Sequence, residues 1–195
     1  MPQMRLVVSR CQTPILDLGA GVGIDTLHLN QLGHLVIACD FSEVALEKIR
    51  QNIPEVQTRR VDMEQSLPFE SEMFGFIVAN KSLHYFSVQK TRALLDEVYR
   101  VLKMNGHFAF VVNSTKDENF GAGQGIKLED NFYEVRGTTK RFFDLTALER
   151  FFEKNKWDFV YKQEGDTESA RMEAVSLKGM ADKKLTWTCL VRKKG

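Results

Sequence analysis

Short apolar runs alternate along this chain with segments whose apolar positions recur every three or four residues, which predicts strands and helices in turn. Pro14 to Leu18 reads as a first buried strand and Ile24 to Gln31 as the helix after it, with Gly33 placed to end that helix. Leu35 to Cys39 makes a second strand. Ser42 can cap a helix over Glu43 to Gln51, with Val44, Ala45 and Ile49 as its buried stripe. Val56 to Val61 reads as a third strand and Phe74 to Ala79 as a fourth. Val88 to Leu102 is a strongly amphipathic helix: Leu94, Leu95, Val98, Val101 and Leu102 share one side, and Asp96 with Arg100 forms an i,i+4 pair on the other. Asn105-Gly106 turns into a fifth strand over His107 to Asn113. The segment 114–141, with Gly121, Gly123, Gly125 and Gly137, is irregular and reads as a long loop, which inside a compact domain is usually functional. A helix follows over Leu145 to Asn155, then a strand near Asp158 to Gln163. A polar stretch from Gly165 to Lys183 reads as partly helical or disordered, and Leu185 to Arg192 is the last strand.

Strands that alternate with helices predict an α/β fold with a doubly wound, mostly parallel sheet, because right-handed crossovers put helices on both faces. The final two strands lack room for a certain helical crossover, so an antiparallel pair is expected there. At 195 residues one domain over 1–195 is the default, long enough to build a core without metal or disulfide. Lys and Arg number 27 against 26 Asp and Glu, so no overall field points to DNA, RNA or an anionic membrane. Cys11, Cys39 and Cys189 are scattered and form no Cys-x-x-Cys, nothing has metal-ligand spacing, and no apolar run approaches a membrane span. A reduced, cytoplasmic, soluble protein is expected.

The chemistry concentrates at Ile15-Leu16-Asp17-Leu18-Gly19-Ala20-Gly21-Val22-Gly23, where an apolar run meets an acid and then breaks into glycines at every second position. Such a stretch runs as a strand, turns tightly and lets a ligand lie against bare backbone. A second apolar run ends in Asp40, 21 positions after Gly19. Together they describe a nucleoside ligand across the carboxyl ends of two parallel strands, its ribose hydroxyls held by the second acid. A dinucleotide fingerprint would need a glycine at position 24, which is Ile24. An acid within the bend also suits a cationic ligand better than a pyrophosphate.

The spacing Asp17-x-Gly19-x-Gly21-x-Gly23 resembles motif I of the class I S-adenosylmethionine (SAM) dependent methyltransferases, and further segments similar to that family follow in order over residues 14–192. Leu94-x-x-x-Val98-x-Arg100-Val101-Leu102-Lys103-x-x-Gly106 is one of them, although Gly75 stands where an acid is common and Met104-Asn105 replaces the usual Pro-Gly. The resemblance implies a Rossmann-like sheet of seven strands in the order 3-2-1-4-5-7-6, with the seventh antiparallel. It also implies SAM as cofactor and S-adenosylhomocysteine (SAH) as product. Asp17, Gly19, Ala20, Gly21 and Gly23 would hold the methionine part, and Asp40 the ribose. Phe41 would flank the adenine, Asp62 and Met63 would bind its edge, and Asn80 would sit near the methyl.

The acceptor side is less defined. Asn80-Lys81-Ser82-Leu83-His84-Tyr85-Phe86 lacks the Asn/Asp-Pro-Pro-aromatic motif of enzymes that methylate base amino groups. His84 and Tyr85 could relay a proton from a nucleophile, since histidine ordinarily titrates near neutrality; the alternative is that these aromatics only pack. Residues 114–141 could fold over the site as a lid with Tyr133 and Arg136 facing substrate, or form a solvated charged surface. The expected reaction is methyl transfer from SAM to a small-molecule acceptor. A SAM-binding subunit without catalysis, a methyltransferase acting on protein or RNA with a partner, and a dehydrogenase are the rival classes.

Overall fold

A computed structural model describes residues 2–166 and 184–195. Its main sheet has seven strands in the order β3-β2-β1-β4-β5-β10-β9. These are β1 (Ile15–Leu18), β2 (Val36–Asp40), β3 (Gln57–Arg60), β4 (Phe74–Asn80), β5 (Leu102–Asn113), β9 (Trp157–Asp166) and β10 (Leu185–Lys193). The first five are parallel neighbours, whereas β10 inserts antiparallel between β5 and β9. Counted within this sheet alone, the order is the expected 3-2-1-4-5-7-6.

Strand geometry sends successive side chains to opposite faces, and here each face builds its own core. Leu16, Leu18, Ile37, Cys39, Ile77, Phe108 and Phe110 join Leu94, Leu95 and Val98 of α4 (Val88–Val101) and Leu148 of α5 (Leu145–Phe151). Ile15, Val36, Ala38, Phe76 and Ala109 face the other way, against Leu29 of α2 (Ile24–Gln31) and Leu46 and Ile49 of α3 (Glu43–Asn52). Rings of Phe110 and Phe152 stack at 4.5 Å on the first face, a geometry worth about 0.5–1.5 kcal/mol beyond burial. Gly33 ends α2 as expected: its N–H and that of His34 return to the Asn30 and Leu29 carbonyls, which a φ of +84° permits.

The structure adds one element and corrects four expectations. A helix, α1 (Pro2–Ser9), precedes the first strand and sends Val8 into the second core. Within α3 the buried pair is Leu46 and Ile49, and Val44 is exposed, because the Ser42 cap sets a helical phase that turns Val44 outward. Arg100 pairs with Glu97 and donates to the Leu67 and Phe69 carbonyls, while Asp96 meets Lys156. The segment read as a loop contains a second, antiparallel sheet: β6 (Ile126–Glu129), β7 (Phe132–Val135) and β8 (Thr138–Arg141). The partly helical or disordered reading of the polar stretch fails at Gly165, which lies in β9; 167–183 fall outside the described residues. Among the described residues no helix is long and apolar enough to cross a membrane.

Arg141 fixes the small sheet to the body. Its side chain is buried, donates to the carbonyls of Phe86 (2.9 Å) and Asp130 (3.2 Å), pairs with Glu129 and lies over the Phe132 ring. Thr139 Oγ1 adds a bond to the Tyr85 carbonyl at 3.0 Å. The sheet therefore rests on the turn that follows β4.

Candidate active site

The carboxyl ends of β1, β2 and β4 meet at one glycine bend. The N–H groups of Gly19 and Ala20 both donate to the Cys39 carbonyl at 2.8 Å, which ties the bend to the tip of β2. Asp40 completes the tie: its Oδ2 accepts the Gly21 N–H and its Oδ1 the Ser42 N–H, each at 2.8 Å. Each carboxylate oxygen keeps acceptor capacity beyond those bonds. Gly19, Gly21 and Gly23 all take positive φ, +80°, +55° and +85°. The three differ in surroundings. A Cβ on Gly19 would overlap Ser82, and one on Gly23 would press on Ile49, whereas one on Gly21 would meet no atom of the described residues within 4 Å. Gly21 thus borders open space, as a backbone cradle for a ligand must.

Phe41, next to Asp40, is 60% exposed, with the Arg60 guanidinium 5.2 Å from its ring centre. An aromatic held out in water beside a carboxylate offers a stacking surface, not core. Asp62 Oδ1 accepts the Glu64 N–H at 2.9 Å, and Met63 lies against the first core with its methyl 3.4 Å from where a Gly19 Cβ would stand. Asn80, at the exposed end of β4, donates to Asp25 Oδ2 at 2.8 Å and so joins β4 to the first turn of α2. Asp25 and Ser82 were not singled out in the sequence. Ser82 Oγ donates to the Leu18 carbonyl at 2.7 Å, clamping the turn after β4 onto the glycine bend. An acid opening a helix and a serine after a strand are common, and neither carries a distinctive spacing.

Asp17 is buried with its Oδ2 accepting from Thr26 Oγ1 at 2.6 Å. Burial, reinforced by Asp25, pushes its carboxyl up to about 7 against the opposing Thr26 hydrogen bond. A carboxyl raised in the folded state favours folding fully below its unfolded pKa near 4 and loses that contribution as pH rises through about 7. Denaturation curves should therefore show wild type losing stability relative to Asp17→Asn between pH 4 and 8, by a few kcal/mol at most. A difference constant across that range would contradict this account of Asp17.

His84, read in the sequence either as a proton relay or as packing, lies in the interior. It is buried, Nδ1 has no hydrogen-bond partner among the described residues, and burial together with Lys184, Lys81 and Lys140 pushes its pKa down to about 3. The imidazole is neutral and weakly basic at pH 7, so it can exchange hydrogen bonds with a ligand but is a poor proton acceptor. Its ring lies 4.3 Å from that of Tyr85, which is half exposed. Tyr133 is half-buried in β7, and Arg136 is exposed at the β7–β8 hairpin turn with φ +52°. Cys39 is pushed up to about 12 by burial, and burial also raises Cys189, so neither is a thiolate nucleophile at neutral pH.

Residues 15–106 match the sequence model of a methyltransferase domain. An uncharacterized methyltransferase of Synechocystis sp. is 32% identical over 111 residues, which are 57% of this chain and 51% of that protein. A demethylmenaquinone methyltransferase of Clavibacter sepedonicus is 34% identical over 119 residues, covering 57% of this chain and 47% of that one. The chain thus spans about half the length of these curated relatives. In three dimensions it is similar to a SAM-dependent methyltransferase of Methanosarcina mazei, with TM-score 0.80, 18% identity and coverage of 100% and 98% of the two chains. It is also similar to the Burkholderia thailandensis 1,6-didemethyltoxoflavin-N1-methyltransferase, solved with its substrate and SAH (TM-score 0.73, 20% identity, 100% of this chain and 77% of that one).

Proposed function

We propose that the chain is a class I SAM-dependent methyltransferase that binds SAM at the glycine bend and methylates a small-molecule acceptor. The observation that carries the reading is the Asp40 carboxylate, hydrogen-bonded to Gly21 N–H beside a Gly21 Cα that faces open space. That pairing supports a nucleoside whose ribose hydroxyls take the remaining lone pairs of Asp40 and whose tail runs along Gly19, Ala20, Gly21 and Gly23. Phe41 serves as the adenine platform, Asp62 and Met63 its edge, and Asn80 the side toward the reacting carbon. Asp17 stiffens the bend from beneath through Thr26.

When bound, SAM supplies an activated methyl on cationic sulfur, so an acceptor lone pair can form the new bond to carbon as the carbon–sulfur pair returns to sulfur. The protein's own residues need only align and enclose. Ser82 and Asn80 hold the end of β4 against the bend, which sets the distance between acceptor and cofactor halves. Arg141 keeps the small sheet over the turn at 83–86, where it can exclude water from the acceptor side. A small acceptor is supported by relatives named for quinone and toxoflavin precursors.

Two glycine variants separate ligand space from packing space. Gly21→Ala should keep the fold, at about 1 kcal/mol for a left-handed alanine, yet weaken SAH at least tenfold by filling the cradle. Gly19→Ala should instead lower the melting temperature, because its methyl overlaps Ser82. Calorimetry and thermal melts read both, and equal behaviour of the pair would contradict the assignment. The activity itself is tested by incubating the protein with methyl-labelled SAM and a panel of small phenols, amines, thiols and carboxylic acids. Label in a small molecule supports the proposal. Label only in added protein or RNA, or SAH binding with no transfer to any acceptor, would overturn it.

A further inference from the structure

Three acids from three elements surround the glycine bend: Asp17 of β1, Asp25 in the first turn of α2 and Asp40 at the tip of β2. Short contacts tie them into one cluster. Asp17 accepts the Thr26 hydroxyl at 2.6 Å and the Thr26 N–H as well, and Asp25 is the residue before Thr26. Asp25 in turn accepts the Asn80 amide, and Asp40 accepts the Gly21 and Ser42 N–H groups. Every hydrogen bond that these acids accept among the described residues thus comes from an uncharged donor. The arginines of β3 are turned elsewhere. Arg60, opposite Asp40 in register, donates to the Phe41 carbonyl at 3.1 Å, and Arg59 lies 5.1 Å from the Phe69 ring centre.

Asp17 shares the face of β1 that carries Ile15, and the elements packed there bring it no cation. The buried residues of α3 are Leu46 and Ile49, α1 sends in Val8, and β4 has no titratable residue. Cys39 of β2 is a neutral thiol. Burial first and then Asp25 hold the Asp17 carboxyl up to about 7 against its two Thr26 hydrogen bonds, and Asp40 adds to the rise. A fully buried carboxylate beside two further acids, with only neutral donors, is a costly arrangement until positive charge arrives.

We infer that Asp17 and Asp25 make the cofactor site select a cationic ligand, with Asp17 protonated in the empty site and releasing that proton to solvent when a positively charged sulfur is bound. The only bond broken is the Asp17 O–H, and the carboxylate left behind balances the incoming charge. SAM carries one more positive charge than SAH, on the sulfur, so this carboxylate favours the methyl donor over the spent product. Asp25 keeps the proton on Asp17 until then, because two neighbouring carboxylates repel. Once the methyl has left, the sulfur is neutral, Asp17 recovers a proton and the hold on the product weakens. The inference rests on SAM being the ligand at the bend, and adds which residues read its charge.

Calorimetric titrations with SAM and with SAH, each at pH 6 in two buffers of different ionisation enthalpy, count the protons released on binding. SAM should release about half a proton or more per site, and SAH less than half as much. Between pH 5 and 7, SAM affinity should rise about fivefold or more and SAH affinity less than about twofold. The rise has this sign because the proton must leave Asp17 for the cation to bind well, and it leaves more readily as pH approaches 7. Asp17→Asn should abolish both the release and the rise. Asp25→Asn still offers Asn80 an acceptor oxygen and should lower the pH at which the rise levels off. Equal SAM heats in the two buffers, equal proton release by both ligands, or a wild-type pH profile in Asp17→Asn would overturn the inference. The wild-type comparison decides even where a variant fails to fold. Binding of neither ligand would overturn the cofactor reading and this inference together, whereas SAM binding without proton release overturns the inference alone.

Discussion

Asp40→Ala is expected to weaken SAM and SAH about 100-fold, close to 3 kcal/mol. Two effects add. The ribose loses charge-assisted hydrogen bonds worth about 1.5–3 kcal/mol each, and the Gly21 and Ser42 N–H groups lose the acceptor that holds the bend against β2. The variant should still fold, since Asp40 lies at the partly exposed tip of β2 and the Cys39 carbonyl still anchors Gly19 and Ala20. Asp40→Asn keeps one acceptor oxygen and should fall between wild type and alanine. Titration calorimetry reads all three, and an alanine variant within threefold of wild type would remove Asp40 from the site.

Arg141→Met should have the largest effect on stability, about 3 kcal/mol, and it should act on the acceptor side alone. The substitution keeps bulk beside Phe132 but leaves the Glu129 carboxylate with only the Val88 N–H and the Phe86 and Asp130 carbonyls without the Arg141 donor. Hydrogen exchange should show protection lost across 126–141 and little change in β1 and β2. SAH affinity should change less than threefold, because none of the Arg141 contacts reaches the glycine bend. Unaltered protection in the small sheet would show that other contacts hold it.

Elements whose apolar period and end signals agree were legible in the sequence. Gly23, Ser42 and Ser87 stand at the N-caps of α2, α3 and α4, and buried residues in register fill the parallel strands other than the exposed edge strand β3. The small sheet was not legible because its strands are four residues long and largely exposed. It is fixed to the body by distant contacts of Arg141, Thr139 and Glu129 that no local period records. Its turns did leave a trace, with Asn131 and the Arg136-Gly137 pair in left-handed conformations. The residues that meet at the bend through backbone or through the end of a strand, Gly19, Gly21 and Asp40, could be read from spacing. The weak basicity of His84 could not, since it follows from burial in the fold and then from lysines 3, 56 and 100 positions away in the chain. Phe41 was ambiguous between core and platform in the sequence, and its exposure removes the core reading.

Titration of the purified chain with SAH and, separately, with a nicotinamide dinucleotide weighs the central claim most directly. The account expects one SAH site per chain, weakened by Asp40→Ala and by Gly21→Ala, and no heat from the dinucleotide. Binding of the dinucleotide at the glycine bend with none of SAH would contradict it.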